Sequence, residues 1–218
     1  MSAKQIAVIT GASSGVGLAV AKQCADLGYT VYAHYRTAPA FEASEVHWWQ
    51  ADFPDLGEIP ELSACDLLVH CAGVCELSPV SETTLSDWQA AMDVNLLGPV
   101  ALTNALLPAL RAAGGHVIYI NSGAGLRANP TWGTYAASKF AARAWCDALR
   151  AEEPKIRVTS VHPGRIDTPM QEAIVKSEGG TYDGAKFLQS NTVATAVLNL
   201  VQLPADTQPN SIELRPRS

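Results

Sequence analysis

Short apolar runs alternate with amphipathic stretches along most of the chain, a pattern that predicts parallel strands joined by helices. The first strand is expected over Lys4 to Thr10, with Ile6, Ala7, Val8 and Ile9 as an unbroken apolar run. A helix follows, carrying Val16, Val20, Cys24 and Leu27 on recurring turns and stopping at Gly28. A second strand is expected at Thr30 to His34, and a third at Val46 to Gln50, with room between Thr37 and Ser44 for only a short helix. Asp52 to Ala64 holds two Pro and one Gly and is too broken for a long crossover helix. Strand 4 is expected at Asp66 to His70. Thr84 to Leu97 predicts a helix, and a further one starts at Pro99 and runs to Ala113. Proline suits a first turn, whereas Pro108 sits where it would kink the later part. His116 to Asn121 reads as strand 5, carried by Val117, Ile118, Tyr119 and Ile120. Gly133 to Glu152 predicts another helix, Ile156 to His162 a sixth strand, Thr192 to Leu203 a final helix and Ser211 to Leu214 a last strand. Arg165 to Gln189 is expected to be an irregular or partly helical excursion. The alternation describes a three-layer α/β unit with right-handed crossovers.

With 218 residues and no linker or repeat, one domain spanning 1–218 is expected. The net charge of −6 and the lack of basic clusters disfavour nucleic acid and anionic membrane as partners. No apolar run approaches a membrane span, and the first residues lack a secretory h-region. Five cysteines without a regular framework suggest a reducing, cytoplasmic setting. His70, Cys71 and Cys75 have ligand-like spacing, but no second cluster completes four ligands, so no metal is expected.

The chemistry is concentrated in two places. Gly11, Gly15 and Gly17 turn the first strand into the first helix with the spacing G-x-x-x-G-x-G. A strand, a tight turn and a helix N-terminus together gather free N–H groups and positive potential, which suits the phosphates of a dinucleotide. Further on, Tyr135 and Lys139 lie four apart on one helix face. An ammonium beside a phenol favours phenolate, so Tyr135 can exchange a proton with a substrate oxygen. Ser122 follows strand 5 and can donate to an oxygen on which charge develops. Asn95 can help through its side chain or a bridging water. Taken singly, each has a plainer role: Tyr-x-x-x-Lys as a solvated lysine beside a half-buried tyrosine, Ser122 as a turn residue, Asn95 as a structural amide. Beside a nucleotide cradle, hydride transfer is the coherent chemistry.

These residues resemble the short-chain dehydrogenase/reductase family. Thr10-Gly11-Ala12-Ser13-Ser14-Gly15-Val16-Gly17 fits its T-G-x-x-x-G-x-G cofactor motif, and Asn95, Ser122, Tyr135 and Lys139 match its catalytic tetrad in type and order. Pro163-Gly164 with Thr168 is similar to its nicotinamide-side segment. The resemblance implies a Rossmann fold with a central, mostly parallel seven-stranded sheet of order 3-2-1-4-5-6-7. It implies that Tyr135 is general acid or base, that Lys139 lowers its pKa and holds the nicotinamide ribose, that Ser122 polarises the substrate oxygen, and that Asn95 supports a water-linked relay. No metal is implied. Where the family has Asn-Asn-Ala-Gly after strand 4, this chain has His70-Cys71-Ala72-Gly73, which keeps close backbone access at Ala72 and Gly73 and leaves His70 a structural role.

Strand 2 ends at Tyr35-Arg36-Thr37 without a carboxylate, and Arg36 can pair with a 2′-phosphate; NADP(H) is therefore expected, with NAD(H) possible. The expected cofactor-binding set is Gly11, Ser13, Ser14, Gly15, Val16, Gly17, Tyr35, Arg36, Thr37, Asp52, Phe53, Cys71, Ala72, Gly73, Tyr135, Lys139, Pro163, Gly164, Ile166 and Thr168. A substrate pocket is expected from Val74, Gly123, Ala124, Trp132, Arg165, Met170 and Tyr182, with 165–189 as its loop. Its small and apolar lining suits an aldehyde, ketone or related carbonyl. The expected activity is NADPH-dependent carbonyl reduction by a homodimer or homotetramer. An NAD-linked secondary alcohol dehydrogenase and a silent dinucleotide-binding regulator are the alternatives.

Overall fold

The computed structural model describes residues 4–217. Its strands in chain order are β1 (Ile6–Ile9), β2 (Thr30–Tyr35), β3 (Val46–Gln50), β4 (Leu67–His70), β5 (His116–Ile120), β6 (Arg157–Pro163), β7 (Ile166–Asp167), β8 (Leu188–Gln189) and β9 (Ser211–Leu214). Seven of them form one sheet in the order β3-β2-β1-β4-β5-β6-β9, which is 3-2-1-4-5-6-7 counted within the sheet, and every pairing is parallel. The helices are α1 (Gly15–Asp26), α2 (Leu85–Met92), α3 (Gly98–Ala113), α4 (Gly133–Glu152), α5 (Pro169–Ser177) and α6 (Ser190–Val201). This is the three-layer Rossmann arrangement.

Parallel strands covered on both faces must be apolar on both, and side-chain alternation divides them between two cores. Ala7, Ile9, Val31, Leu67 and Val69 point to the layer of α1 and α6, meeting Val20, Cys24, Val193 and Val197. Val8, Leu68, Val117, Tyr119 and Val158 point the other way, onto Leu102, Leu106 and Leu110 of α3 and Ala142 and Cys146 of α4.

Two elements differ from the sequence expectation. Thr37 to Ser44 forms no helix. The Phe41 carbonyl accepts the Trp48 indole N–H at 3.0 Å and the two rings meet edge to face, which holds the segment open against β3. The two helices expected on either side of Gly98 are one run, Leu85–Ala113, joined by a π-helical turn at Asp93–Leu97. Pro99 has no N–H to offer the Asn95 carbonyl, so the ladder loosens there without breaking. By length and composition this 29-residue run could cross a membrane. Here its buried face, from Leu102 to Leu110, packs on the sheet. The 165–189 excursion is partly helical, as expected, with α5 set between the two-residue strands β7 and β8 and a 3-10 turn at Gly184–Lys186.

Candidate active site

The loop after β1 is shaped by steric necessity. Gly11 and Gly15 have φ of +62° and +52°. A Cβ on Gly17 would lie 2.2 Å from the Gly11 carbonyl oxygen, and one on Gly11 would lie 2.8 Å from the Ala72 nitrogen. Ser14 precedes α1 without capping it, and the first turn carries no acidic residue, so the N-terminal N–H groups remain open to an anion. Two side chains brace the loop. Thr10 Oγ1 accepts from the Cys71 and Ala72 N–H groups at 3.0 and 3.1 Å. The Gly11 N–H donates to His34 Nδ1 at 3.0 Å, which requires the other ring nitrogen, Nε2, to donate to the Ala51 carbonyl, also at 3.0 Å. Burial lowers the His34 pKa and favours this neutral form.

Three spaces open at the carboxyl ends of the strands. A groove of about 190 Å³ is lined by Gly11, Ser14, Gly15, Val16, Gly17, Cys71, Ala72, Gly73, Tyr135, Lys139, Ile166, Thr168 and Met170, among others. A second, also about 190 Å³, lies toward β2 and β3 and includes Ser13, His34, Arg36, Asp52, Phe53 and Val74. A third, larger than these two at about 420 Å³, includes Ser122, Gly123, Ala124, Trp132, Tyr135, Pro163, Gly164, Arg165, Thr168 and Met170. Asn129, Gln171, Ile174 and Glu178, which were not expected, also line it.

Several expected residues lie elsewhere. Val74 lines the β2–β3 space and not the large cavity. Pro163 and Gly164 line the large cavity and not the glycine groove. Tyr35 and Thr37 line none of the three spaces. The Tyr35 ring packs edge-on to Trp48, because residues alternate along β2 and His34 takes the inward place. Tyr182 lines none of them either; its hydroxyl donates to the Asp167 carboxylate and its ring packs against Phe187. Arg165 is paired in a two-pronged bridge with Glu178, at 2.7 and 2.6 Å.

Around the reacting position, α4 supplies Tyr135 and Lys139 and the end of β5 supplies Ser122. Tyr135 and Lys139 are both buried. Burial pushes the Tyr135 phenol up, and the Ser122 hydroxyl partly offsets it. Ser122 Oγ also accepts the Ala124 N–H at 3.1 Å. Burial lowers the Lys139 pKa to about 8. Its Nζ donates to Tyr119 Oη and to the Ile120 carbonyl, each at 3.1 Å. The Tyr119 hydroxyl in turn donates to the main-chain carbonyl of Asn95, to which Pro99, four residues on, has no N–H to offer. The side of Lys139 toward Asn95, for which the resemblance implies a water-linked connection, is therefore filled by a phenol from β5.

Asn95 is fully buried and braces its surroundings. Its Oδ1 accepts the Val74 N–H at 2.9 Å, while Nδ2 donates to the Val74 carbonyl at 3.0 Å and Ser138 Oγ at 2.9 Å. Asn121 does the same for the other wall: Nδ2 donates to the Lys139 carbonyl at 3.1 Å, and Oδ1 accepts the Ser122 N–H at 2.8 Å. Sequence reasoning missed Asn121 and Tyr119 as site supports; their position on strand 5, next to Ser122, was the available signal. His70 lies beside Tyr119 in the β4–β5 register and meets Thr103 Oγ1 at 2.8 Å.

A phosphate-sized cradle thus adjoins a cavity holding a serine, a tyrosine and a lysine, the arrangement of a dinucleotide-dependent oxidoreductase. The family profile described as short chain dehydrogenase matches residues 5–179, and the chain belongs to that family. It is 34% identical over 239 residues to glycine betaine reductase of Emericella nidulans, covering 98% of this chain and 19% of that protein, so it spans about a fifth of that relative's length. An uncharacterized oxidoreductase of Staphylococcus haemolyticus is 30% identical, with 97% of each chain covered. Among solved structures, an alcohol dehydrogenase from Thermococcus sibiricus complexed with 5-hydroxy-NADP is 25% identical with a TM-score of 0.83, covering 98% of this chain and 97% of that one. A serine dehydrogenase complexed with NADP+ is also 25% identical, with a TM-score of 0.84 and coverage of 96% and 94%.

Proposed function

We propose that this oxidoreductase is an NADPH-dependent carbonyl reductase acting on a small or medium aldehyde or ketone. The observation that carries the proposal is Tyr135, which lines both the glycine groove and the large cavity and so stands where a cofactor and a substrate would meet. The open α1 N-terminus and the crowded Gly11–Gly17 contact suit a pyrophosphate. Arg36 is exposed beside the β2–β3 space and has no side-chain partner among the described residues, which suits a 2′-phosphate. The NADP complexes of the two similar structures support the same preference.

When bound, the nicotinamide supplies the hydride in reduction or takes it up in oxidation. Ser122 would hold the substrate oxygen, and Tyr135 would give it a proton as charge develops. A phenol kept protonated by burial suits the acid role that reduction demands. Lys139, charged below about pH 8, would ease that proton's departure and bind a ribose hydroxyl.

The 165–189 segment would form the substrate wall through α5, and residues 1–218 would act as one unit. A homodimer or homotetramer is favoured by Leu85, Leu97 and Phe140, exposed on the Leu85–Ala113 helical run and α4. Five free thiols favour a reducing cytoplasm.

The test is NADPH oxidation over a panel of aldehydes and ketones. Turnover by the native enzyme and a loss of about a hundredfold or more in Tyr135→Phe is expected. Undiminished turnover in that variant would overturn the assignment. Arg36→Asp should weaken NADPH about ten- to a hundredfold relative to NADH.

A further inference from the structure

Beside the large cavity lies a further space of about 490 Å³, which shares Gly123, Asn129 and Gly164 with it. The two are therefore continuous, and the join falls at Gly123, the residue after Ser122. The further space is distinguished by charge: Arg127, Glu213 and Arg215 line it.

Local structure places both arginines. After the 3-10 turn Gly123–Gly125, the Arg127 N–H donates to the Gly123 carbonyl at 3.1 Å, which sets Arg127 one turn beyond the join. Its side chain is exposed and makes no ion pair among the described residues. Arg215 follows β9. Its Nη1 donates to the His162 and Leu214 carbonyls at 2.6 and 3.0 Å, and its Nη2 to Glu213 at 2.6 Å. A Cβ on Gly123 would lie 3.5 Å from Arg215 Nη2, so the guanidinium rests against the join itself.

The charges do not cancel. In the large cavity Arg165 and Glu178 neutralise one another through two hydrogen bonds. In the further space two arginines face one glutamate, which leaves one positive charge unbalanced. The chain as a whole carries −6. An acidic protein that keeps an unbalanced cation at its substrate cavity gathers anions there. A guanidinium fork matches a carboxylate through two parallel hydrogen bonds, and a single unbalanced charge suits such a monoanion better than a phosphate dianion.

Resting on the carbonyl-reductase assignment, we propose that this space is a carboxylate subsite, and that the substrate is an aldehyde or ketone bearing a carboxylate on a chain long enough to pass Gly123. Ser122 and Tyr135 hold the carbonyl oxygen. Arg127 takes the carboxylate, and Arg215 forms the wall beside it. The carbonyl carbon receives the hydride and its oxygen the Tyr135 proton, so the product is a hydroxy acid and the carboxylate is unchanged.

The experiment compares the native enzyme with Arg127→Gln, Arg127→Lys and Glu213→Gln. The probes are straight-chain oxo acids of graded length and their methyl esters, reduced with NADPH. Calorimetry measures binding of the saturated carboxylic acids of the same lengths, which cannot react, to the protein–NADP+ complex. The ratio of kcat/KM for the preferred acid to that for its ester is expected to fall about five- to fiftyfold in Arg127→Gln, midway between an exposed ion pair and a fully engaged fork. It should recover in part in Arg127→Lys and rise in Glu213→Gln, which removes the competing carboxylate. Added salt should slow the acid more than the ester. The ratio cancels any change in folding or cofactor affinity, which both substrates share. Lys155→Gln, which removes an exposed charge just before β6, controls for net charge and should leave the ratio unchanged. Equal rates on acid and ester, or an acid preference that survives Arg127→Gln, would overturn the subsite and leave the reductase assignment standing. Arg127-dependent binding of the saturated acid without turnover of any carbonyl would uphold the subsite and refute that assignment.

Discussion

Replacing Tyr119 with Phe removes one oxygen and leaves two buried groups short of a partner. The Asn95 carbonyl loses the phenol donor, and Pro99, four residues on, has no N–H to replace it. Leaving such an acceptor unsatisfied costs about 1–3 kcal/mol in folding stability. Lys139 keeps the Ile120 carbonyl but loses the phenol oxygen. A hydrogen bond to a charged group contributes roughly 1.5–3 kcal/mol, and each pKa unit corresponds to about 1.4 kcal/mol, so the ammonium should be easier to deprotonate by about one to two units. The native value near 8 already lies below the ordinary 10.5, because burial disfavours the charge. Losing an acceptor favours the neutral amine further, so the fall in activity on the alkaline side moves to lower pH. The assay is kcat and kcat/KM for NADPH-driven reduction from mildly acidic to alkaline pH, beside urea unfolding. An alkaline limb displaced downward by about one to two units is expected. A variant that loses stability yet keeps the native pH profile would refute the coupling and leave Tyr119 as a packing group.

Acid should destabilise the fold through its histidines. Burial lowers His70 and His116 from 6.5 to about 3, and His34 and His162 are also lowered. The unfolded chain takes up protons at 6.5 that the fold refuses, so stability is fully present above that pH and declines toward 3, by about 1.4 kcal/mol per pH unit for each such histidine. A flat urea midpoint across that window would contradict this. Gly17→Ala places a methyl 2.2 Å from the Gly11 carbonyl. It should cost roughly 1–3 kcal/mol and weaken NADPH binding measured by fluorescence, and native-like affinity would show that the loop can yield.

The sheet was legible because its strands are apolar on both faces, so Ile6 to Ile9 and Val117 to Ile120 announce themselves without tertiary information. The glycine loop was legible because backbone crowding restricts Gly11 and Gly17 to one residue type. Side-chain direction was harder. Tyr182 lies in the expected substrate loop, but Asp167 captures its hydroxyl, a partner fifteen residues away. Thr37 to Ser44 offered no visible reason to stay open until Phe41 met Trp48. Tyr119 reads as an ordinary strand aromatic. Its role depends on a carbonyl exposed by a proline on α3, a coincidence of two elements that no local pattern encodes. Gln171 likewise became visible only when α5 was oriented.

The last sheet strand, β9, has a consequence for the order in which the site is assembled. The Leu214 carbonyl accepts the Gly164 N–H at 2.8 Å, and Arg215 Nη1 donates to the His162 carbonyl at 2.6 Å. These bonds tie the Pro163–Gly164 wall to chain synthesised some fifty residues later. The glycine turn between β1 and α1, by contrast, is braced from β2 and β4, within the first third of the chain, and only the far side of its groove, with Tyr135, Lys139, Ile166 and Thr168, comes later. On a ribosome the glycine turn can therefore take shape while the substrate wall is still unpinned, and the β6–β9 pairing, made by the last strand of the sheet to be synthesised, completes the catalytic cavity.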